Sequence, residues 1–568
     1  MQLTPTLKKK ALEQYIREKT SAMKQRQRFA NAWVKNEQLY NGTPTSTLIT
    51  RSNIHVPKVF EAVTTASARM GRMPELHFDT KKEEDENANT IMKHLWLYDA
   101  RKSRLDEIFR LSKVECGLYS RGIIQLIPSN DGNKFELVDT LSFLISPIAN
   151  TIRTARNCGK QFIYKTIMEL EDEAEEKGYE MSILKKMKDE KVATDKTVRN
   201  ANSQDQSLRN LRLAYLGLQD TSNLGIDIVE ITEWYTWFGK DQVVMTVADD
   251  KYLLRVLTLK EVGLPRFPFV SYATYPRGVA FWVPSVADIH RDPNLATDVT
   301  VNQMIDNNTY RNFGMLFVGS GSGLKQSSIS PRPLGVTAIN IPAGSKIKDQ
   351  VWQFTPPAIT EAIQTASYIN GIADNASGIT SIPAGKKGKT SVTEIATNNA
   401  VVEEKNNDFK ENINIMFEDL AQLYADTICM NLTTPRKVKI YDREEITLEG
   451  VTKANFKGVD FIAIAETAEN AGEAKALQQK ASQNLFELLK DDPQVPNQKY
   501  LRENIMKKFG LTEEQIGKLM TQPEQSPQGV QPQGGEQGAQ PLPTGNPMNP
   551  AGVTQSQTGA MAQSVTQK

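Results

Sequence analysis

The sequence contains little cysteine or histidine. Its 568 residues include 3 cysteines and 4 histidines. Cys116, Cys158 and Cys429 are widely spaced and form no CxxC pair, which argues against a disulfide framework and against a thiolate metal site. We therefore expect free thiols, as in proteins of a reducing compartment. The histidines are scattered singly, and we expect surface or packing residues rather than metal ligands: His55, His77, His94 and His290.

The sequence also lacks an excess of charge and a long apolar run. Its formal net charge is +1 at pH 7, so any contact with nucleic acid requires a local cluster of basic residues. No run of about 18 apolar residues occurs, and the first residues form no apolar stretch, so we expect neither a transmembrane helix nor a signal peptide. With 39% hydrophobic and 24% charged residues, the composition is that of a globular protein of about two to four domains.

Residues 6–40 have the periodicity of one amphipathic helix. Apolar residues recur at helical spacing: Leu12, Tyr15, Ile16, Met23, Ala30 and Trp33. Basic residues occupy the other face: Lys8, Lys9, Lys10, Arg17, Lys19, Lys24, Arg26, Arg28 and Lys35. A basic helix face binds nucleic acid or acidic lipid in some proteins, but it is more often solvated or docked on an acidic neighbour.

Downstream of this helix the pattern predicts a mixture of helices and strands. The predicted elements are a helix at 57–70, a strand at 75–79, helices within 83–120, a hairpin turning at NDGN, two strands within 141–168, an exposed charged helical stretch at 169–210, and an antiparallel three-stranded meander. The predicted fold class is α+β.

The second half contains long predicted helices. The predicted elements are a helix at 283–313 that includes Pro293, a glycine-rich β-like stretch at 314–355, a helix at 357–372, a helix at 392–432, two strands, and helices at 470–490, 497–509 and 512–520. The helix at 392–432 has a continuous apolar stripe, which predicts core packing: Phe409, Ile413, Phe417, Leu420, Tyr424 and Ile428. Residues 522–568 have no aromatic residue and few charges, so we expect this tail to be disordered.

The stretch SIPAGKKGKTSV, residues 381–392, superficially resembles a phosphate-binding loop. It includes Gly388-Lys389-Thr390, the end of a Walker A pattern. The position of the first glycine of that pattern holds Pro383, which has no N–H to donate to a phosphate. A helix end and a polar loop precede the stretch where a buried strand is required. The sequence therefore argues against nucleotide hydrolysis, and we expect no enzyme activity and no cofactor.

The same stretch is a basic loop between two predicted helices. Lys386, Lys387 and Lys389 place three ammonium groups within four positions, and the neighbouring glycines make the chain pliant. The simplest interpretation is an ordinary solvated loop. The alternative is a functional loop, which is favoured by a length of about 18 residues and by the rigid helices on both sides.

The order of these parts resembles that of the portal, or head–tail connector, proteins of tailed bacteriophages. The segment NIHVPKVFEAVTTASARMGRMPEL is similar to the family's helix before the first wing strand. The glycine loop that runs into KTSVTEIATNNAVVEEKNNDF is similar to its tunnel loop. The segment PFVSYATYPRGVAFWVPSVADIHRDPNLATDVTVNQMIDNNTYRNF is similar to its entry into a stem helix, with matches at Pro268, Phe269, Val270, Ser285, Asp288, Asp292, Asn302 and Asp306. The likeness covers about residues 40–520.

The resemblance implies a portal fold and gives each segment a part in it. Those parts are a mixed α/β wing (1–282 and 392–465), a long helical stem (283–313 and 357–372), a small β clip (314–356), a tunnel loop (373–391), a helical crown (466–521) and a tail (522–568). Family members often have glycine where Phe281 or Val283 stands here, so the start of the first stem helix is the least defined of these boundaries.

The resemblance also implies a function and a set of partners. Portal proteins assemble as a ring of twelve at one capsid vertex, around the channel through which DNA is packaged and ejected. The implied partners are further copies of the chain, double-stranded DNA bound without sequence specificity, the terminase motor, head-completion or tail adaptor proteins, and the major capsid or scaffold protein. A membrane is not among them. The implied location is the virion, after assembly in the host cytoplasm.

Two sets of basic residues gain roles from the resemblance. Lys386, Lys387 and Lys389 would face the DNA channel, and the clip residues Lys325, Arg332 and Lys346 would dock the motor or the adaptors. The clip strands GMLFV and VTAINI are too short for an independent sheet, so we expect them to pair with a neighbouring subunit.

Other assignments remain open at this point. On the first stem helix, Asp292, Asp298 and Asp306 either form a repulsive channel lining or are plain surface charges. The chain as a whole could instead be another structural component of a capsid or tail, or a DNA-packaging ATPase. The missing P-loop argues against the ATPase.

Overall fold

The chain divides into two compact units, Met1–Leu488 and Leu489–Lys568. The computed structural model describes only residues of the first unit: 4–43, 52–80, 86–129, 132–193, 228–312, 315–318, 344, 346, 351–354, 356–357, 359–378, 392–432, 436–440 and 447–466. The predicted helices at 470–490, 497–509 and 512–520 and the predicted disordered tail lie outside the described residues.

The described chain contains both helices and strands, often several of one kind in succession. The helices are α1 Pro5–Tyr40, α2 Lys58–Arg69, α3 Glu86–Lys102, α4 Leu105–Tyr119, α5 Ile167–Asp172, α6 Ala174–Lys177, α7 Met181–Ala193, α8 Leu259–Val262, α9 Val286–Asn312, α10 Thr360–Ser377 and α11 Val392–Asn431. The strands are β1 Glu75–Thr80, β2 Arg121–Ile127, β3 Lys134–Val138, β4 Phe143–Ile145, β5 Asn157–Thr166, β6 Ile228–Phe238, β7 Asp241–Ala248, β8 Tyr252–Thr258, β9 Phe269–Ala273, β10 Met315–Val318, β11 Val351–Phe354, β12 Arg436–Ile440, β13 Thr447–Val451 and β14 Phe461–Glu466.

The strands pair antiparallel throughout the described residues. A five-stranded sheet has the order β4-β5-β6-β7-β8, and a three-stranded sheet has the order β3-β2-β9. Three further pairs are β1–β14, β10–β11 and β12–β13. The predicted hairpin at NDGN is β2–β3, and the predicted meander is β6–β7–β8. This mixture of helices and antiparallel sheets confirms the predicted α+β class.

The turn between β7 and β8 joins the five-stranded sheet to α1. Asp249 and Asp250 both have positive φ, at 48° and 56°, which is the conformation of a tight type I′ hairpin. The Asp250 carboxylate then lies 2.6 Å from the Nζ of Lys19, which is almost fully buried. The ring of Tyr15 packs edge-on against Trp234 of β6, with centroids 5.9 Å apart. The first half of α1 is therefore docked on this sheet.

Arg26 continues this docking along α1. Its Nη1 donates to the backbone oxygens of Leu141 and Phe143, at 2.6 and 3.1 Å, and its side chain is buried. Lys19 and Arg26 thus belong to an interface within the subunit. Docking on an acidic neighbour is confirmed for Lys19, whereas Arg26 is docked on backbone carbonyl oxygens. A buried cation is bound by the oxygen atoms around it and is not offered to a polyanion.

The largest hydrophobic core surrounds α11. The six residues of its predicted stripe are all buried: Phe409, Ile413, Phe417, Leu420, Tyr424 and Ile428. The ring of Phe417 meets Phe109 of α4 with centroids 5.0 Å apart, and Tyr424 meets Trp96 of α3 at 5.2 Å. Aromatic pairs in this edge-to-face geometry add to the stabilisation that comes from burial. The prediction of core packing for this helix is confirmed.

The charged stretch at 169–210 was only partly predicted correctly. Helices α5, α6 and α7 form there, but they bury Leu170, Leu184 and Met187 against the five-stranded sheet, so the stretch is not simply exposed. Residues 194–210 lie outside the described part of the chain.

Several predicted boundaries in the second half are wrong by a few residues. Helix α9 begins at Val286 rather than at 283, because Ser285 caps it: the N–H of Asp288 donates to the Oγ of Ser285, and the N–H of Ser285 donates to the Asp288 carboxylate. Helix α10 spans Thr360–Ser377 rather than 357–372, so the first residues of the predicted loop 373–391 are helical. Strand β13 was missed altogether.

Candidate functional site

Helices α9 and α10 form an antiparallel pair. The Nδ2 of Asn370 donates to the Oγ1 of Thr297 over 2.9 Å, and the Nε2 of His290 lies 2.9 Å from the Oγ of Ser377. The later residue of α10 thus contacts the earlier residue of α9, as in antiparallel helices. At 1.5 Å per residue, α9 is about 40 Å long and α10 about 27 Å. The two helices form a rod whose one end is the start of α9 and the end of α10.

The carboxyl end of α10 is held by three other parts of the subunit. Beside the contact of Ser377 with His290 of α9, the hydroxyl of Tyr275 donates to the backbone oxygen of Ser377 over 2.8 Å. The Nη1 of Arg69, from α2, donates to the backbone oxygen of Gly378 over 2.7 Å. We call residues 374–378, with these contacts, the loop base, because the lysine-bearing segment follows directly.

Cations and a glycine complete the loop base. The Nζ of Lys405, from α11, donates to the backbone oxygen of Asn375 over 2.9 Å. Together with Arg69 it places positive charge at the carboxyl end of a helix, where the dipole favours cations. Gly378 has φ of 73°, the left-handed conformation that ends many helices and that glycine adopts without strain. The first end of the loop is therefore fixed in position and direction.

Ser377, His290 and Asp374 lie in the order of a hydrolytic triad, but they do not form a working one. The Nδ1 of His290 is 3.9 Å from the Oδ1 of Asp374, which is too long for a hydrogen bond. Ser377 is 1% exposed and His290 2%. Burial lowers the pKa of His290 to about 4, so the ring is neutral at pH 7. No substrate reaches these groups, and His290 is a packing residue, as expected.

An extended segment, residues 52–57, lies along α9, and we call it the strap. Its backbone, together with the first turn of α2, donates to side-chain oxygens of α9. The amide donors and their acceptors are Ser52 to Asp306 (3.0 Å), Ile54 to Asn302 (2.7 Å), Val56 to Asp298 (2.7 Å) and Val59 to Asn294 (2.9 Å). The Nδ2 of Asn302 returns a bond to the backbone oxygen of Ile54 over 2.9 Å.

The spacing of these acceptors explains why a strap and a helix match. The pattern Asn294-x3-Asp298-x3-Asn302-x3-Asp306 puts one oxygen ligand on the same face of α9 every four residues, or about 6.0 Å. Two residues of extended chain span about 6.6 Å, so alternate amides meet successive acceptors. The sequence contained this signal, but Asn294 was overlooked, and the motif positions Asn302 and Asp306 were noted without this role.

The three aspartates of the predicted stem helix have three different environments. Asp298 is 2% exposed and accepts bonds from the strap and from His55, at 2.9 Å, so its prediction as a channel lining or a surface charge is wrong. Asp306 is half-buried against Ser52. Asp292 has a side chain that is 79% exposed, with its Oδ1 3.2 Å from the Nε of Arg291. Only Asp292 fits the description of a surface charge.

Most of the predicted basic sites lie outside the described residues. This applies to Lys386, Lys387 and Lys389 of the loop, and to Lys325 and Arg332 of the predicted clip. Lys346 is described and is exposed.

The strand GMLFV of the predicted clip finds a partner in its own chain. Met315–Val318 pairs with Val351–Phe354, so the expected pairing with a neighbouring subunit concerns at most its other edge. The second predicted strand, VTAINI, lies outside the described residues.

Two kinds of site are absent from the described part of the chain. Its histidine, cysteine and carboxylate side chains form no group of three or more that could hold a metal ion. None of its helices combines the length and the apolar character that crossing a membrane requires.

Comparison with known proteins gives one family. The family model described as phage SU10 portal protein matches residues 80–446, which is more than half of the 568-residue chain. The matched range includes α9, α10, the loop base and all of α11, and it ends before β13. No curated protein matches the chain.

Proposed function

Since the chain belongs to the phage SU10 portal protein family, we propose that it forms a ring at one capsid vertex and that DNA enters and leaves through this ring. The ring is also the platform on which the packaging motor and later the tail adaptors dock. Twelve copies is the number we propose, and the major capsid or scaffold protein surrounds them. The family match is the observation that carries this proposal. The role is structural, and no catalytic step is assigned to the chain.

We assign the parts of the portal to the elements of the chain as follows. The wing comprises α1 to β9 together with α11 and the strands after it. The stem is the antiparallel pair α9 and α10, and the clip is the segment between them, with β10 and β11 at its root. The tunnel loop is residues 379–391, shorter than the sequence alone predicts because α10 continues to Ser377. The crown is residues 467–521, because β14 extends to Glu466.

The loop lysines give the channel its positive charge. Twelve copies of Lys386, Lys387 and Lys389 supply about 36 positive charges near one height of the channel, and contact with phosphates is independent of base sequence. The lysine side chain carries its charge on a flexible aliphatic chain. It lacks the bidentate geometry of arginine, which would hold the phosphates in one fixed register. Twelvefold sites also never match the DNA helix all at once. DNA therefore slides past the loops instead of stopping at one of them.

The loop base supports this assignment. A loop that contacts moving DNA must transmit force to the subunit without being displaced. The start of residues 379–391 is fixed by His290, Tyr275, Arg69 and Lys405, which belong to four separate stretches of the chain. A fixed base directly followed by a segment with three lysines fits such a contact.

Replacing the loop lysines tests the proposal. The triple variant K386A/K387A/K389A is expected to form rings of unchanged mass but to reduce packaged or retained DNA per particle. A matched control exists in α7, where Lys185, Lys186 and Lys188 are exposed and have the same spacing. The variant K185A/K186A/K188A is expected to package normally. Equal DNA content in both triple variants would contradict the role of the loop.

The ring and the clip are tested separately. Native mass measurement of the purified chain is expected to give a closed oligomer, and a stable monomer at all concentrations would contradict the ring. Removal of residues 319–345 is expected to spare folding of the subunit and to abolish binding of the motor. Normal binding of the motor by that deletion would contradict the docking role of the clip and of Lys325 and Arg332 within it.

A further inference from the structure

A cleft of about 530 Å³ opens at one end of the five-stranded sheet. Three arginines line it, Arg153, Arg156 and Arg266, together with aromatic side chains that include Trp237 and Phe267. Trp237 is 41% exposed although it is large and apolar. An exposed tryptophan among guanidinium groups is the composition of a binding surface, because both residue types are enriched where proteins contact one another.

The arginines of the cleft have unused hydrogen-bonding capacity. Arg153 pairs with the Asp419 carboxylate, and the Nη2 of Arg266 donates to the backbone oxygen of Asp419 over 2.9 Å. The Nε of Arg266 is buried and has no partner among the described residues. Arg156 is exposed and likewise has no bonding partner in the described part of the chain. Burial and the proximity of Arg153 lower the pKa of Arg266, so a further anion in the cleft would be favourable.

The opposite end of the same sheet is acidic. Strand β5 begins directly after Arg156 and ends at Thr166, where α5 begins, so the cleft and α5 lie at its two ends. Ten residues of strand span about 30 Å. The segment of α5 and α6 carries exposed carboxylates that have no partner within the described residues, and we call them the acidic patch: Asp172, Glu175 and Glu176.

We infer that the arginine cleft of one copy binds the acidic patch of the next copy around the ring. The inference rests on the proposed ring. A ring is built from head-to-tail contacts, in which two different surfaces of the chain meet, and complementary surfaces on opposite ends of one rigid element satisfy that requirement. Arginine forks bind carboxylates in bidentate geometry, and the exposed Trp237 offers an apolar wall to the partner's chain, such as Met168, which is 71% exposed beside the acidic patch.

A carboxylate-bearing protein surface fits the cleft better than DNA does. Duplex DNA presents its phosphates on a convex surface and keeps its bases stacked inside, so it offers little apolar surface to place against Trp237 and Phe267. A helical segment that carries acidic side chains and a methionine offers both chemistries to the cleft at once. The occupant we assign is therefore protein, and it is a second copy of this chain.

Charge reversal on each side tests the contact. We expect Arg156→Glu, and separately Glu175→Arg with Glu176→Arg, to raise the protein concentration for half-maximal ring assembly at least about tenfold, because like charges then face each other. Combining all three changes is expected to return that concentration to within about threefold of the unmodified chain. Mass photometry over a dilution series measures it, and circular dichroism confirms that each subunit is folded. Arg101→Glu, an exposed reversal on α3, is the matched control and should assemble normally.

The outcomes separate this inference from the proposed function. Unmodified chain that never forms a ring would overturn both. Rings that form from the unmodified chain and equally well from Arg156→Glu would overturn the contact alone. Arg156→Glu that assembles normally but no longer enters capsids would overturn it too, since another acidic protein would then occupy the cleft. Assembly could also be lost in Arg156→Glu and in the Glu175→Arg/Glu176→Arg variant without returning when all three changes are combined. That result would count against direct pairing of the two surfaces.

Discussion

Helices α11 and α9 are both long, and they bury opposite kinds of side chain. Helix α11 buries an apolar stripe that includes Phe417 and Leu420, whereas α9 buries Asn294, Asp298 and Asn302. Apolar contacts depend mainly on area and shape, so neighbouring arrangements differ little in energy. Hydrogen-bonding side chains leave buried groups unpaired in every arrangement but one. Helix α11 thus supplies stability, and α9 supplies a unique position for the strap and the stem.

This difference matters for the proposed portal. The stem pair carries the loop base at one end, so any slip of α9 against the strap would move the loop. In a ring of identical subunits, such a slip would place loops at unequal heights. A helix fixed by discrete bonds prevents this, because a shifted register would leave the amides of the strap without acceptors.

The largest effect is expected where α11 packs in the core. Phe417→Ala removes a fully buried ring that contacts Phe109, and a cavity of this kind costs about 3–5 kcal/mol. Ile415 lies on the same helix and is 52% exposed, so Ile415→Ala should change stability by about 0.5 kcal/mol or less. Urea unfolding followed by tryptophan fluorescence measures both. Similar losses for the two variants would contradict the division of α11 into a buried and an exposed face.

A smaller but more local effect is expected where the strap binds α9. Asp298→Ala leaves the N–H of Val56 and the Nδ1 of His55 without their acceptor, at a cost of about 1–3 kcal/mol. Asp292→Ala, on the exposed face of the same helix, should be within about 0.5 kcal/mol of the original chain. Hydrogen exchange should show faster exchange of the strap amides in Asp298→Ala only. Unchanged protection of Val56 in that variant would argue that the strap is held by something else.

The smallest effect is expected in the pH dependence of stability, to which His290 of α9 contributes and the apolar stripe of α11 does not. The folded pKa of His290 is about 4, below the usual value near 6.5, so the unfolded chain binds the proton more readily. Stability is therefore lost as pH falls below about 6.5, by about 1 kcal/mol between pH 7 and 5.5. Burial raises the pKa of the nearby Asp374, which acts in the opposite direction at lower pH.

His290→Gln isolates this contribution. The variant should lose less stability than the original chain between pH 7 and 5.5, as measured by urea midpoints at the two pH values. Phe417→Ala should keep the original pH dependence, because the apolar stripe of α11 has no group that titrates in this range. The same pH dependence in His290→Gln and in the original chain would show that His290 is not buried in its neutral form.

The same comparison explains which parts the sequence predicted well. The stripe of α11 is visible because apolar residues at helical spacing have one common explanation, burial. The residues of α9 that bind the strap are Asn and Asp. At the same spacing these residue types usually indicate a solvated face, so the prediction for Asp298 was wrong. Its meaning depends on the strap, about 240 residues earlier in the chain, and a local pattern contains no information on that pairing.

Other misses have local causes. Helix α10 continues beyond 372 because Tyr275, Arg69 and Lys405 satisfy its last carbonyl groups, and each of these residues is distant in sequence. Strand β13, TLEGV, contains a glycine and a glutamate that lower its strand signal, and it forms by pairing with β12. The arginine cleft was missed because Arg266 lies in a loop more than 100 residues after the loop that carries Arg153 and Arg156, and only the fold brings the two loops together.

The strap and α9 have repeats of slightly different length, so their donors and acceptors coincide only over a short stretch. Each step of extended chain exceeds the helical step by about 0.6 Å, so the mismatch reaches about 2 Å after three steps. The fourth hydrogen bond indeed breaks the alternation of donors, since its donor is Val59 and α2 has already begun at Lys58. The difference between the two repeat lengths thus limits the length of such a contact, and the chain turns into a helix where that limit is reached.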